Sequence, residues 1–158
     1  MDRLRLALST SLYLGLVPVA PGTFGTLGGV AIAWALSGSS YYLAWSLAVA
    51  ALLYALGRSL GDWAEVRGGG KDPGWFVIDE VVGYLVTVAW LDGPSPLALL
   101  TAFCAFRFFD IAKPWPVRRF ERVPGGDGIM LDDVVAGVWA LVAVMLPLRL
   151  LVEAPWSA

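Results

Sequence analysis

The sequence predicts an all-α fold, a multi-helix membrane bundle of short apolar helices with a polar site on its cytoplasmic face. Three observations carry that expectation. Of the 158 residues, 58% are hydrophobic and 15% charged, against roughly 45–50% and about 25% in ordinary soluble proteins, and the mean hydropathy is +0.71. Between Leu6 and Gly57 there is no charged residue, so helices there have no polar face to turn toward water. The apolar runs are long and lack sustained period-two alternation, which favours helices over strands. The length suits one domain, taken as residues 1–158.

The elements follow in order. A first apolar stretch runs from Leu4 to about Val17 and ends at Pro18 and Pro21, which do not suit a helix interior. Arg3 and Arg5 ahead of it resemble the start of a signal peptide, but the hydrophobicity continues past any cleavage point, so a retained membrane segment is expected. The turn Ala20-Pro21-Gly22-Thr23 leads to a second helix from about Thr26 to Leu36, broken by Ser37-Gly38-Ser39-Ser40. A third helix runs from Tyr41 past Arg58 to Val66, and the segment from Gly68 to Gly74 is a glycine-rich loop. The fourth spans about Val77 to Trp90 and the fifth about Leu97 to Ile111, stopping before Pro114. A short basic piece, Val117 to Arg122, precedes the loop Pro124-Gly125-Gly126-Asp127-Gly128, and a last helix runs from about Asp132 to Val152. Several of these fall short of the ~20 residues that span a bilayer core.

Composition also removes function classes. A net charge of −2 argues against a nucleic-acid binder. A single cysteine, Cys104, excludes an intramolecular disulfide, and the absence of histidine removes His bases, His nucleophiles and His-ligated zinc. Cys104 itself reads as a buried small hydrophobe.

Alternating helix directions gather the polar clusters at one end. If the second helix leaves one membrane face, the third returns to it with Arg58, the fourth departs from Asp79 and Glu80, the fifth returns with Arg107, Asp110 and Lys113, and the last departs from Asp132 and Asp133. Arg67, Lys71, Arg118, Arg119 and Arg122 fall on the same face, whereas the other holds little more than Asp92, Arg149 and Glu153. The positive-inside rule makes the polar face cytoplasmic.

Carboxylates beside apolar runs are expensive unless they bind something. Adjacent helical residues sit about 100° apart, so Asp79 and Glu80 are not expected to point the same way, nor are Asp132 and Asp133. Small residues on the same faces, Gly83 below Glu80 and Gly137 below Asp133, allow close helix approach, which would bring Asp79, Glu80, Asp132 and Asp133 within reach of one cation. Such hard oxygen ligands suit Mg²⁺. Arg107 and Lys113, beside Asp110, suit a phosphate group. Thr23 at a helix start and Gly126 in a possible glycine nest could add anion contacts. Each pair alone also has a structural reading: Asp79 and Asp132 as helix caps, and Arg107 with Asp110 as an ordinary ion pair. Trp75, Trp90, Trp115 and Trp139 read as interface anchors or packing, and Lys71, Arg118, Arg119 and Arg122 as headgroup contacts or solvated charge.

Five segments in order resemble the phosphatidylglycerophosphatase A family. They are Pro18-Val-Ala-Pro21-Gly22-Thr23-Phe-Gly25-Thr26, Asp72-Pro73, Ile78-Asp79-Glu80-Val-Val-Gly83, the run from Phe106 through Arg107, Asp110 and Lys113 to Pro116, and the run from Gly125 through Asp132 and Asp133 to Gly137. Thr26 stands where the family often has serine, which keeps the hydroxyl. The resemblance implies a bacterial inner-membrane enzyme that removes the terminal phosphate of phosphatidylglycerophosphate in a Mg²⁺-dependent reaction, giving phosphatidylglycerol. Its partners would be that substrate and membrane lipids. The attacking group is left open between water and an aspartate, with water favoured because no Asp-x-Asp-x-Thr/Val sequence occurs. A non-enzymatic ion-binding or ion-conducting membrane protein is the main alternative. A CDP-alcohol phosphotransferase ranks lower, because its Asp-Gly-x-x-Ala-Arg signature is absent.

Overall fold

The structure is a computed structural model, and it describes residues 2–90, 92–152 and 155–158. Glu153, counted above with the face opposite the polar clusters, lies outside them. The described chain is all helical apart from one isolated bridge between Pro94 and Ser157. Its helices are α1 Asp2–Ser9, α2 Pro21–Leu36, α3 Tyr42–Gly68, α4 Ile78–Thr87, α5 Pro96–Ala112, α6 Val117–Phe120, α7 Gly126–Ala140 and α8 Leu146–Leu151. A 3₁₀ turn at Leu14–Leu16 precedes α2.

Local chemistry explains several boundaries. Pro21 opens α2 because the first helical position needs no N–H, so this helix begins five residues before the expected Thr26. The Ser95 hydroxyl caps α5 by accepting from Ala98 N at 3.3 Å. Gly69, at φ 72°, closes α3 in the left-handed conformation. Lys113 ends α5 at φ 44°, out of right-handed helical geometry as the following proline favours, but in the left-handed rather than the extended region. A π-helical turn at Leu141–Met145 joins α7 to α8. Pro147, just after it, has no N–H for the Ala143 carbonyl, and widening the turn absorbs that defect.

Two expected helices change more. The first apolar stretch does not reach Val17. Helix α1 stops at Ser9, and Ser11, Leu12 and Tyr13 adopt positive φ. Val77 N donates to the Ser9 carbonyl at 2.9 Å, so the end of α1 is docked at the head of α4. The last helix starts at Gly126 rather than Asp132, which puts Asp132 and Asp133 in its second turn and rules out a cap role for Asp132.

Helix α4 is the post of the bundle. Ten residues long, it is buried on nearly every side, at Ile78, Asp79, Val81, Val82, Gly83, Tyr84, Leu85 and Thr87, and packs against α7, α2 and α3. Tyr84, Leu85, Phe106, Ile129 and Met130 form the centre of the core. The outer surface stays apolar: Trp34, Trp45, Leu52, Leu100, Phe108, Ile111 and Leu150 are all exposed, as suits a chain that meets lipid rather than water. Tyr42–Gly68 and the continuous run Gly126–Leu151 are each long and apolar enough to cross a membrane. Cys104 is exposed on the outer side of α5, contrary to the expectation of burial. Where the outer face of a helix is as apolar as its inner face, hydrophobicity does not reveal which side is buried.

The two ends of the bundle differ as the sequence suggested. At one, the Lys71 ammonium donates to the carbonyls of Val123 (2.9 Å) and Glu121, tying the glycine-rich loop to the segment after α6. Lys71 is therefore a latch rather than solvated charge. At the other, Arg149 lies over the Trp90 ring at 5.0 Å and Ala158 N donates to the Gly93 carbonyl at 2.8 Å.

The crossing of α4 and α7 depends on glycine. A Cβ on Gly137 would lie 2.3 Å from the Gly83 carbonyl oxygen, and one on Gly83 would lie 2.5 Å from the Phe106 ring. The Thr87 hydroxyl sits at the same crossing, donating to Gly83 O at 3.0 Å. In an ordinary helix interior, Gly→Ala gains about 1 kcal/mol of helix propensity. Here Gly137→Ala should instead destabilise, by about 1–3 kcal/mol of overpacking, and lower the thermal unfolding midpoint in detergent. A midpoint at or above wild type would mean that the helices do not cross this closely.

Candidate active site

The site is built on the head of α4. Asp79 and Glu80 lie in its first turn, where the positive end of the helix dipole favours carboxylates. Asp133, from the second turn of α7, faces them because the glycine crossing one turn further along draws the helices together. Each of the three offers a carboxylate oxygen, and these oxygens all lie within 4.8 Å of one another. The expectation that Asp79 and Glu80 diverge is thereby corrected. The short Asp79 side chain folds back to accept from Glu80 N at 3.1 Å, and the longer Glu80 side chain reaches around to the same space. Asp132 and Asp133 do diverge, because Asp132 turns to Lys113.

Arg107 and Asp110 complete this cluster from α5. The guanidinium Nη1 lies 2.5 Å from Asp110 Oδ2 and 4.0 Å from Glu80 Oε1. Asp110 in turn lies beside Asp133. Helix α2 covers the cluster, since a Cβ on Gly22 would sit 2.3 Å from Glu80 Oε1 and 3.1 Å from Arg107 Nη1. Of the four carboxylates Asp79, Glu80, Asp110 and Asp133, Asp110 and Glu80 thus pair with this guanidinium. Glu80 Oε2 and Arg107 Nε are buried with no hydrogen-bond partner in the protein. A hard cation beside the carboxylates and an anion beside the guanidinium would fit this arrangement, because unpaired buried charge is strongly unfavourable.

A second cluster adjoins it. Lys113 Nζ donates to Asp132 Oδ2 at 2.8 Å and to Glu121 Oε1 at 2.5 Å. Burial alone would lower the pKa of this ammonium, but the bonds to Asp132 and Glu121 outweigh it and hold the group above the ordinary lysine value. Asp132 points at Lys113 and is absent from the three-carboxylate group. Asp72, Glu121, Asp132 and Lys71 line a cavity of about 350 Å³ beside this pair.

Not every expected residue joins these clusters. Thr23 sits half-buried in the first turn of α2, next to Gly22 and so at the edge of the site. The Thr26 hydroxyl is satisfied inside α2 by the Gly22 carbonyl at 2.8 Å. Gly126 is already helical and pressed against α3, where a Cβ would meet the Arg58 carbonyl at 2.1 Å. Its place is explained by packing rather than by a phosphate nest. Glu121 was missed, because nothing in the linear sequence pairs it with Lys113. Asp72 was passed over as a loop residue, although the Asp72-Pro73 step was a usable signal.

With this geometry in view, comparison with known proteins is decisive. The family model for phosphatidylglycerophosphatase A matches residues 7–148. The chain belongs to the phosphatidylglycerophosphatase A family. A Haemophilus influenzae protein named phosphatidylglycerophosphatase A is 40% identical over 134 residues, covering 82% of this chain and 80% of the relative. An Escherichia coli protein of the same name is 37% identical over 127 residues, covering 78% and 72%. A Bacteroides thetaiotaomicron relative, provisionally named a phosphatidylinositol-3-phosphatase, is 34% identical over 152 residues, covering 89% and 91%. No solved structure matches. Membership of the phosphatidylglycerophosphatase A family identifies an enzyme, a phosphoric monoester hydrolase, and so decides against the ion-conducting alternative.

The Lys113–Asp132 pair generates a stability prediction. Asp132 is buried and Lys113 half-buried, so removing the lysine leaves the carboxylate uncompensated, at a cost of up to about 3 kcal/mol. Lys113→Gln should therefore lower the unfolding midpoint more than the double variant Lys113→Gln/Asp132→Asn does. Purely additive losses in that cycle would show that the two side chains act independently.

Proposed function

We propose that this protein hydrolyses the terminal phosphomonoester of phosphatidylglycerophosphate to phosphatidylglycerol, as a single-domain enzyme of the bacterial inner membrane whose site faces the cytoplasm. The observation that carries the reading is the three-carboxylate group of Asp79, Glu80 and Asp133 with Arg107 at its edge. The basic residues gathered around the same end of the bundle support the orientation. The substrate comes from the names of the Haemophilus and Escherichia relatives, and it suits a site embedded among apolar helices.

Asp79, Glu80 and Asp133 would hold Mg²⁺, whose preference for hard oxygen ligands they match. When bound, the ion supplies positive charge against the phosphoryl oxygens. Arg107 binds those oxygens through its guanidinium fork and is aimed by Asp110, 2.5 Å away. A carboxylate of the cluster accepts the proton of the water that attacks phosphorus, and that proton passes to the departing glycerol oxygen as its P–O bond breaks. The first turn of α2, over Glu80 and Arg107, restricts access of other water to the site. Asp132, neutralised by Lys113, positions the second turn of α7 and hence Asp133.

Phosphate release by purified, monodisperse protein tests these roles. Asp79→Asn, Glu80→Gln and Asp133→Asn should each lower kcat by more than ~10²-fold, the scale of one strong electrostatic contact to a transition state. Arg107→Lys should also be damaging, because an ammonium lacks the bidentate grip. Normal turnover by all three carboxylate variants would overturn the site.

Excess chelator should abolish turnover and added Mg²⁺ should restore it, whereas Cys104→Ala should leave turnover intact, since that thiol lies outside the site on an apolar surface. Undiminished activity in chelator would defeat the metal assignment, and a dead Cys104→Ala enzyme would point to thiol chemistry.

A further inference from the structure

The mechanism above leaves the densest group of positive charge unused. Between the end of α5 and α6 lies an open cavity of about 460 Å³, lined by Lys113, Trp115, Arg118, Arg119 and Arg122 together with Pro114 and Pro116. Lys113 is already neutralised by Asp132 and Glu121. The arginines are not. Among the described residues, no carboxylate lies within the 4.0 Å of an ion pair from Arg118, Arg119 or Arg122. In a chain with more acidic than basic residues, three neighbouring guanidiniums outside any ion pair, of which Arg122 also borders the cavity of Asp72, Glu121 and Asp132, mark a place for an anion.

The cavity is also partly preformed. Arg119 lies over the Trp115 ring at 5.7 Å, which limits its freedom. Prolines on both sides of Trp115 restrict the backbone that carries the ring. The surroundings indicate what kind of anion belongs here. Trp115 is 71% exposed, and Ile111 and Phe108 are exposed on the end of α5 that leads to it. A soluble anion needs no apolar approach. A phospholipid does, because its acyl chains must lie along such a surface while its phosphate meets the basic groups. Through Lys113, which bonds Asp132, one wall of the cavity is tied to the residue next to Asp133.

We propose that this cavity is an anion-binding subsite for the phosphodiester of a glycerophospholipid, and that it makes the enzyme selective for a lipid carrying a diester as well as the monoester to be cleaved. The inference rests on the reading of the carboxylate cluster as the place where the monoester reacts. The arginines would grip the diester oxygens, leaving the monoester free to reach Arg107.

The test separates the two. Binding is measured by titration calorimetry on the full chain in neutral detergent, with short-chain phosphatidylglycerol (a diester only) and with inorganic phosphate. Wild type is compared with Arg118→Gln and Arg122→Gln. Both variants should lose affinity for phosphatidylglycerol about tenfold, equivalent to about 1.4 kcal/mol, and bind inorganic phosphate as wild type does. With phosphatidylglycerophosphate as substrate they should show a raised KM and an unchanged kcat, the mark of lost uniform binding. Retained phosphate binding also establishes that the variants are folded. Unchanged affinity for phosphatidylglycerol would overturn the subsite. So would an equal loss for both ligands, which would make the arginines a general attractant for anions. If wild type released no phosphate from phosphatidylglycerophosphate, the proposed reaction would fall, and the calorimetry would still judge the cavity.

Discussion

The constraint on which this architecture turns is the crowding of carboxylates at the head of a buried helix. Asp79, Glu80 and Asp133 bring oxygens within 4.8 Å of one another, Asp110 stands beside them, and Arg107 is the basic side chain paired with this group. Like charges held this close in a poorly hydrated space repel strongly, and a helix dipole offsets only a fraction of that. An apolar bundle would relax by turning such groups outward unless packing prevented it. Here packing does prevent it. Helix α4 is enclosed by α2, α3 and α7, so its first turn has nowhere else to go. Such a charge density fits a site that could hold a cation.

Close backbone approach is what enforces that geometry. Gly22 brings the start of α2 onto Glu80 and Arg107, while Gly83 and Gly137 let α4 and α7 touch backbone to backbone. In lipid, helix association gains little from hydrophobic burial and depends on dispersion contacts and interhelical hydrogen bonds. The Thr87 hydroxyl, donating to Gly83 O and reaching Gly137 O at 3.4 Å, adds such a bond at the crossing. The position of Asp133 relative to Asp79 is thus set about one turn away, by residues with no chemistry of their own.

Much of this was legible in the sequence because membrane helices leave strong traces. The long apolar runs, the charges confined to helix ends and the glycines below Glu80 and Asp133 were enough to predict helices, a common polar face and a close crossing. Arg107 and Asp110 were paired correctly from their i, i+3 spacing. What escaped was geometry decided by tertiary contact. Helix α1 stops at Ser9 because its end docks on Val77, sixty-eight positions on. The start of α7 at Gly126 was hidden because three glycines read as loop, whereas the close approach of α3 to Gly126 leaves no room for a Cβ there. Cys104 looked buried because the chain is apolar on both sides of its helices.

The divergence of Asp132 and Asp133 gives the polar end its organisation. Adjacent in sequence, they turn to different partners: Asp133 to the carboxylates on α4, Asp132 to Lys113 and through it toward α6. One turn of α7 therefore contributes to a negative cluster around Glu80 and, through Asp132 and Lys113, is tied to the wall of a positive cavity around Arg118 and Arg119. A lipid with two phosphates presents the matching pair of demands, since the reacting group needs charge stabilisation during bond breaking and the other group needs only to be held. On the proposed reading, a bilayer surface would keep such a substrate at fixed depth, and an offset between the clusters set by consecutive residues of one helix would bring the right phosphate to the reacting end.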